Sequence, residues 1–90
     1  MNEAKSVFFD LFNPDEALNL LIRAQLMQAL EAALKTRFKT QQEAAEHLGI
    51  SQERVSNLYR GKIQLFTIDN LVNLLAKAGK QVEFNIKEAA

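Results

Sequence analysis

The sequence predicts a mainly α-helical bundle of four to five helices that ends in one β-strand. Three observations predict it. Apolar residues recur at helical spacing along most of the chain. Glycines 49, 61 and 79 stand where helical patterns stop. Strict two-residue alternation is confined to residues 81–87. With 90 residues, 48% of them hydrophobic, the chain suffices for one domain, 1–90, with a single modest core.

Residues 1–12 form an N-terminal arm in which Val7, Phe8, Phe9, Leu11 and Phe12 are apolar and only Asp10 breaks the run after Ser6. A strand and an irregular arm both fit, and the phenylalanines need cover from the chain's own helices or from a partner. Asn13-Pro14-Asp15-Glu16 is a helix start, with a capping asparagine, proline at the first helical position and acid in the first turn. The helix it opens runs to about residue 36, with Leu18, Ile22, Leu26, Ala29, Leu30 and Ala33 as the expected core stripe. Leu20, Leu21 and Met27 lie off that stripe. Lys35 to Lys39 reads as a polar loop anchored by Phe38.

Residues 40–61 read as two short helices joined by a tight turn. Thr40 caps the first, and Glu43 stands three residues on, where a capping box has its acid. Ala44, Ala45 and Leu48 give that helix an apolar side, Gly49 permits a left-handed end, and Ile50 dips inward. Ser51 caps the second helix, Gln52 to about Arg60, and Gly61 stops it. Val55 and Leu58 share its inner face. A small residue at 45, glycine four later, and apolar residues at 50, 55 and 58 are what a helix-turn-helix crossing requires. The arc opposite Val55 and Leu58 carries Gln52, Glu53, Ser56, Asn57 and Arg60, groups able to pair with base edges.

After the loop Lys62–Phe66, Thr67 caps a helix over 68–78, with Ile68, Leu71, Val72 and Leu75 on one face and Gly79 at its end. Gln81 to Lys87 then alternates, with Val82, Phe84 and Ile86 on one side. That C-terminal strand, 81–87, cannot satisfy its backbone alone. Its partner is either the N-terminal arm or the same strand of a second copy, which makes Val82, Phe84 and Ile86 the candidate dimer interface.

At Thr40-Gln41-x-x-Ala44-Ala45-x-x-Leu48-Gly49-Ile50-Ser51-Gln52-x-x-Val55-Ser56-x-Leu58-x-x-Gly61 the chain resembles the Xre/Cro/C1-type helix-turn-helix family. The likeness extends through Val7-Phe8-x-Asp10-Leu11, Phe66-Thr67-x-Asp69-x-Leu71 and Gly79-Lys80-x-Val82-Glu83 toward an antitoxin-like subgroup, and so covers most of the chain. The resemblance implies a lambda-repressor-like bundle. It also implies double-stranded DNA as partner and, for the subgroup, a toxin protein encoded beside it.

Formal net charge is zero, but it is unevenly placed. Residues 1–34 carry two basic and five acidic side chains, and residues 35–62 carry six basic and three acidic ones. Positive charge thus gathers on and beside the 40–61 motif, the electrostatic footprint of a nucleic-acid binder.

Gln41 and the N–H groups at the start of its helix are placed to meet a phosphate. Gln52, at the tip of the second helix, suits bidentate pairing with adenine. Ser51, Ser56 and Asn57 lie along the same surface, and Arg60 and Lys62 reach phosphates, or a guanine in the case of Arg60. Glu53 either accepts from a cytosine amine or points away. Arg54 falls off the arc and is expected to pair with a carboxylate or an edge phosphate.

Other chemistry finds no support. There is no cysteine, hence no disulfide framework and no thiolate metal site. The single histidine, His47, has no ligand cluster at suitable spacing, and Glu43 and Glu46 read as a cap and a solvated face. Asp69 complements a helix dipole. No phosphate loop or nucleophile elbow is present, and no apolar run approaches membrane-spanning length. The expectation is a cytoplasmic, non-enzymatic protein without cofactor or metal. It is either a dimeric transcriptional repressor reading a palindromic operator, or an antitoxin that masks a toxin through its apolar N-terminal segment, and the two roles are compatible.

Overall fold

Four helices and one short 3-10 turn make up the described part of the chain, residues 14–88 of a computed structural model. They are α1 (Pro14–Arg37), α2 (Gln41–Leu48), α3 (Gln52–Tyr59), the 3-10 turn Ile63–Leu65, and α4 (Ile68–Lys77). The N-terminal arm, 1–12, and the expected cap at Asn13 lie outside the described residues.

Three of the helices start with a hydroxyl cap where the sequence places one. The side-chain oxygens of Thr40, Ser51 and Thr67 accept from the N–H groups of Glu43, Arg54 and Asn70, at 3.1, 3.1 and 3.2 Å. The acid of the first cap reaches one residue further back than a capping box has it: the Lys39 N–H donates to Glu43 Oε2 at 3.4 Å. Gly49 and Gly61, both at φ +71°, end α2 and α3. In each case the following residue, Ile50 or Lys62, donates its N–H back five positions, to Ala45 O at 3.1 Å and to Asn57 O at 3.1 Å. This is the paired-bond end that a left-handed residue closes.

The core joins all four helices through Met27, Leu30 and Leu34 of α1, Ala44, Ala45 and Leu48 of α2, Val55 and Leu58 of α3, and Leu71, Leu74 and Leu75 of α4. Phe66, 1% exposed, fills its centre between the 3-10 turn and α4. Phe38, Ile50 and Val82 pack on its margin. No polar side chain is buried among the described residues.

Two apolar faces differ from the expected ones. On α1 the buried stripe is Met27, Leu30, Ala33 and Leu34, whereas Leu18 and Ile22 are 51% and 44% exposed. The cause is visible at either end of the real stripe. Arg23 and Arg37 continue it at helical spacing, and their charged heads are bound to carbonyls of later segments of the same chain. Arg23 donates to Ile63 O and Phe66 O at 3.3 and 3.2 Å. Arg37 donates to Ala78 O at 2.8 Å. Long basic side chains lay apolar stems along a core and keep their heads hydrogen-bonded, so a stripe counted from apolar residues alone was rotated toward Leu18. Helix α1 also absorbs Lys35 to Arg37, which the sequence assigned to a loop; an i,i+4 ion pair from Lys35 to Glu31 at 2.8 Å supports that last turn. On α4, Leu74 is buried, while Ile68 and Val72 are only half-buried.

The expected strand over 81–87 is not formed. Residues 81–88 run on as irregular chain, and their backbone groups make no hydrogen bond among the described residues. A strand exists only as one side of a ladder, and the described chain supplies no second side. Phe84 and Ile86 are consequently 84% and 85% exposed.

The α2–α3 contact yields a direct test. Ala45 is 4% exposed at the turn between these helices. Ala45→Leu should overpack the contact and lower stability by about 1–3 kcal/mol. Thermal or urea melts should show that loss, and an unchanged midpoint would mean that the two helices leave room there.

Candidate nucleic-acid interface

The reading surface is built by burying the other side of α3. Val55 and Leu58 are 0% and 2% exposed, so the opposite arc must face outward. On it Gln52, Glu53 and Arg60 are exposed, and Ser56 and Asn57 are half-buried. Lys62, just past Gly61, is exposed, and Gln41 is half-buried as the first residue of α2. The structure therefore places six of the eight expected contact residues on or beside α3, from Gln52 to Lys62. The other two, Ser51 and Gln41, stand at the helix starts.

The start of each short helix is polar and open. Thr40 and Ser51 each occupy the third N–H of their helix. The N–H groups of Gln41 and Gln42 in α2, and of Gln52 and Glu53 in α3, have no partner among the described residues. Such groups, with the helix dipole behind them, favour an anion. Ser51 accepts at its own cap yet is exposed, so its hydroxyl hydrogen remains available as a donor. Lys39 was read only as part of a polar loop. It is exposed two residues before Gln41, and a cation at that spacing from a helix start is the signal that would have found it.

Several basic residues of the 35–62 cluster are engaged within the chain instead. The Arg54 guanidinium lies 4.3 Å from the Phe66 ring centroid. It donates to Leu65 O at 3.1 Å and to Asn70 Oδ1 at 3.3 Å. This corrects the expectation of a carboxylate or phosphate partner. Arg54 ties the first turn of α3 to the segment before α4 and to the first turn of α4, and so orients the reading helix. Arg37 is held by Ala78, and Lys35 sits between Glu31 and the Tyr59 ring, 5.0 Å from the centroid. The hydrogen bond that Lys35 donates to Glu31, and the charge of that carboxylate, hold the Lys35 pKa above its usual value. Partial burial raises that of Tyr59. The cations around the motif whose side chains have no partner among the described residues are Lys39, Arg60 and Lys62.

The acids of the region are less disruptive than their number suggests. Glu43 is engaged at the α2 cap, and Glu46 accepts from the Gln42 side chain at 3.4 Å. Glu53 alone stands exposed on the arc with no ion pair among the described residues. His47 is an exposed helix residue whose Nε2 donates to Lys77 O at 2.8 Å, with its ring against Phe38. Lys77 in turn donates to Leu48 O at 3.2 Å, closing the end of α2. No group of three or more potential metal-ligating side chains occurs among the described residues. No helix there is long and apolar enough to cross a membrane. Val82, Phe84 and Ile86 belong to the tail beyond α4.

Residues 7–87 match the family model described as a helix-turn-helix domain. No curated protein matches the chain.

Proposed function

We propose, from the premise that the chain belongs to the helix-turn-helix domain family, that it is a transcriptional repressor that reads a palindromic operator as a dimer. In this reading α3 enters the major groove, and the protein has no catalytic role. One observation carries it: α3 buries Val55 and Leu58 and turns Gln52, Glu53, Ser56, Asn57 and Arg60 outward beside two open helix starts. Gln52 reads a base, Ser56 and Asn57 follow the groove, and Lys39, Gln41, Ser51, Arg60 and Lys62 fix the register on phosphates. A further role as an antitoxin rests on the N-terminal arm, outside the described residues, and on the resemblance to antitoxin-like regulators.

The experiment is selection of DNA fragments by the purified protein, followed by binding of two variants to the selected and to random sequences. A two-fold site should emerge. Gln52→Ala should lose about 1–3 kcal/mol on that site and relax preference at one base position. Lys62→Ala should weaken selected and random DNA about equally. Identical behaviour of the two variants would overturn the division between reading and positioning residues, and selection that yields no motif would overturn the function.

A further inference from the structure

The tail and the face beside it are both incomplete in the single chain. Residues 81–88 leave α4 with no backbone hydrogen bond among the described residues and with Phe84 and Ile86 almost fully exposed. Val82, two residues before Phe84, packs on the margin of the core. Next to it opens a groove of about 560 Å³, lined by Leu26, Ala29, Ala33, Leu75 and Val82 and also by the charged residues Arg37, Lys80 and Glu83. The α1 wall of that groove continues at helical spacing into the exposed Leu18 and Ile22. Half of the stripe that the sequence marked as core, Leu26, Ala29 and Ala33, therefore lines an open groove.

We propose that the occupant is the same tail of a second copy, paired antiparallel with Phe84 on the two-fold axis. The inference rests on the dimeric reading above and adds its register. Directly opposed residues of an antiparallel pair share a face. With Phe84 opposite the partner's Phe84, Val82 meets the partner's Ile86, so all three apolar residues of each copy face apolar ones. Lys80 then opposes the partner's Glu88, Gln81 its Lys87, and Glu83 its Asn85. A two-fold centred one residue earlier sets Glu83 against the partner's Glu83 and Ile86 against its Lys80. Centred one residue later, it sets Val82 against Glu88. Slips to the intermediate registers put apolar against polar along the whole row. Only the Phe84-centred pairing joins charge complementarity to complete apolar matching. It also brings the partner's Ile86 beside Val82, on the side where Val82 borders the groove, and gives the tail backbone the ladder that it lacks.

The chain has no cysteine, so engineered thiols report the register without background. Opposed residues in an antiparallel pair have Cα atoms about 4.5–5.5 Å apart, within the roughly 4.4–6.8 Å that a disulfide spans. Under mild oxidation without DNA, Phe84→Cys should convert to a covalent dimer. Asn85→Cys, which faces the partner's Glu83, should link roughly tenfold less. Native-mass measurement should give two copies for the unaltered chain and one for Phe84→Glu, with helical circular dichroism unchanged. A monomeric unaltered chain would overturn the proposal. So would a dimer that survives Phe84→Glu, or one in which position 85 links as readily as position 84; these outcomes would leave the groove to the N-terminal arm or to a different protein. Because no DNA is present, failure here is separate from failure of Gln52 to read a base.

Discussion

Phe66→Ala is expected to lower stability by about 3–5 kcal/mol, the usual cost of deleting a fully buried aromatic ring. A domain of this kind has roughly 5–15 kcal/mol in total, so the variant should be partly unfolded at body temperature. The size follows from what meets at this residue. Its ring is 1% exposed and carries the Arg54 guanidinium at 4.3 Å, and its carbonyl accepts from Arg23. Removing the ring leaves a cavity bounded by α1 and α4. It also strips the platform under Arg54, a contact worth about 0.5–2 kcal/mol elsewhere. Urea unfolding followed by circular dichroism measures it. A loss under about 1 kcal/mol would show that the neighbours collapse into the space without penalty.

The second large effect separates the two faces of α1. Leu34→Ala should cost about 2–5 kcal/mol, because the side chain is 0% exposed in the joint core. Leu18→Ala, at a position 51% exposed, should change stability by no more than about 0.5 kcal/mol. Melts of the two variants side by side give the answer, and equal losses would place the inward face of α1 where the apolar count put it.

That contrast shows where the sequence was legible. Local chemistry was: Thr40, Ser51 and Thr67 cap as a hydroxyl before a helix should, and Gly49 and Gly61 take the left-handed ends that few other residues accept. The inward pair Val55 and Leu58 followed from their spacing, and with it the outward arc of α3. What was not legible depends on partners remote in the chain. Arg23, Arg37 and Arg54 looked like surface charge until their carbonyl partners, 11 to 43 residues away, came into view. The same blindness rotated the α1 stripe. Alternation at Val82, Phe84 and Ile86 led to the expectation of a strand that the described chain does not form, because a pattern cannot supply the second strand.

The engagement of those arginines by carbonyls of their own chain also sets how the protein would respond to its ionic surroundings. Each phosphate neutralised by a protein cation releases condensed counterions from DNA, and the dependence of binding on salt grows with their number. Arg37 and Arg54 are held by carbonyls of their own chain and Lys35 is paired with Glu31, leaving Lys39, Arg60 and Lys62 to displace those ions. For two copies that is roughly six phosphates, a logarithmic slope near −5 and not the steeper one that the full basic cluster implies. Occupancy of a DNA site would therefore track the match between α3 and the bases more than the ionic strength of the cell.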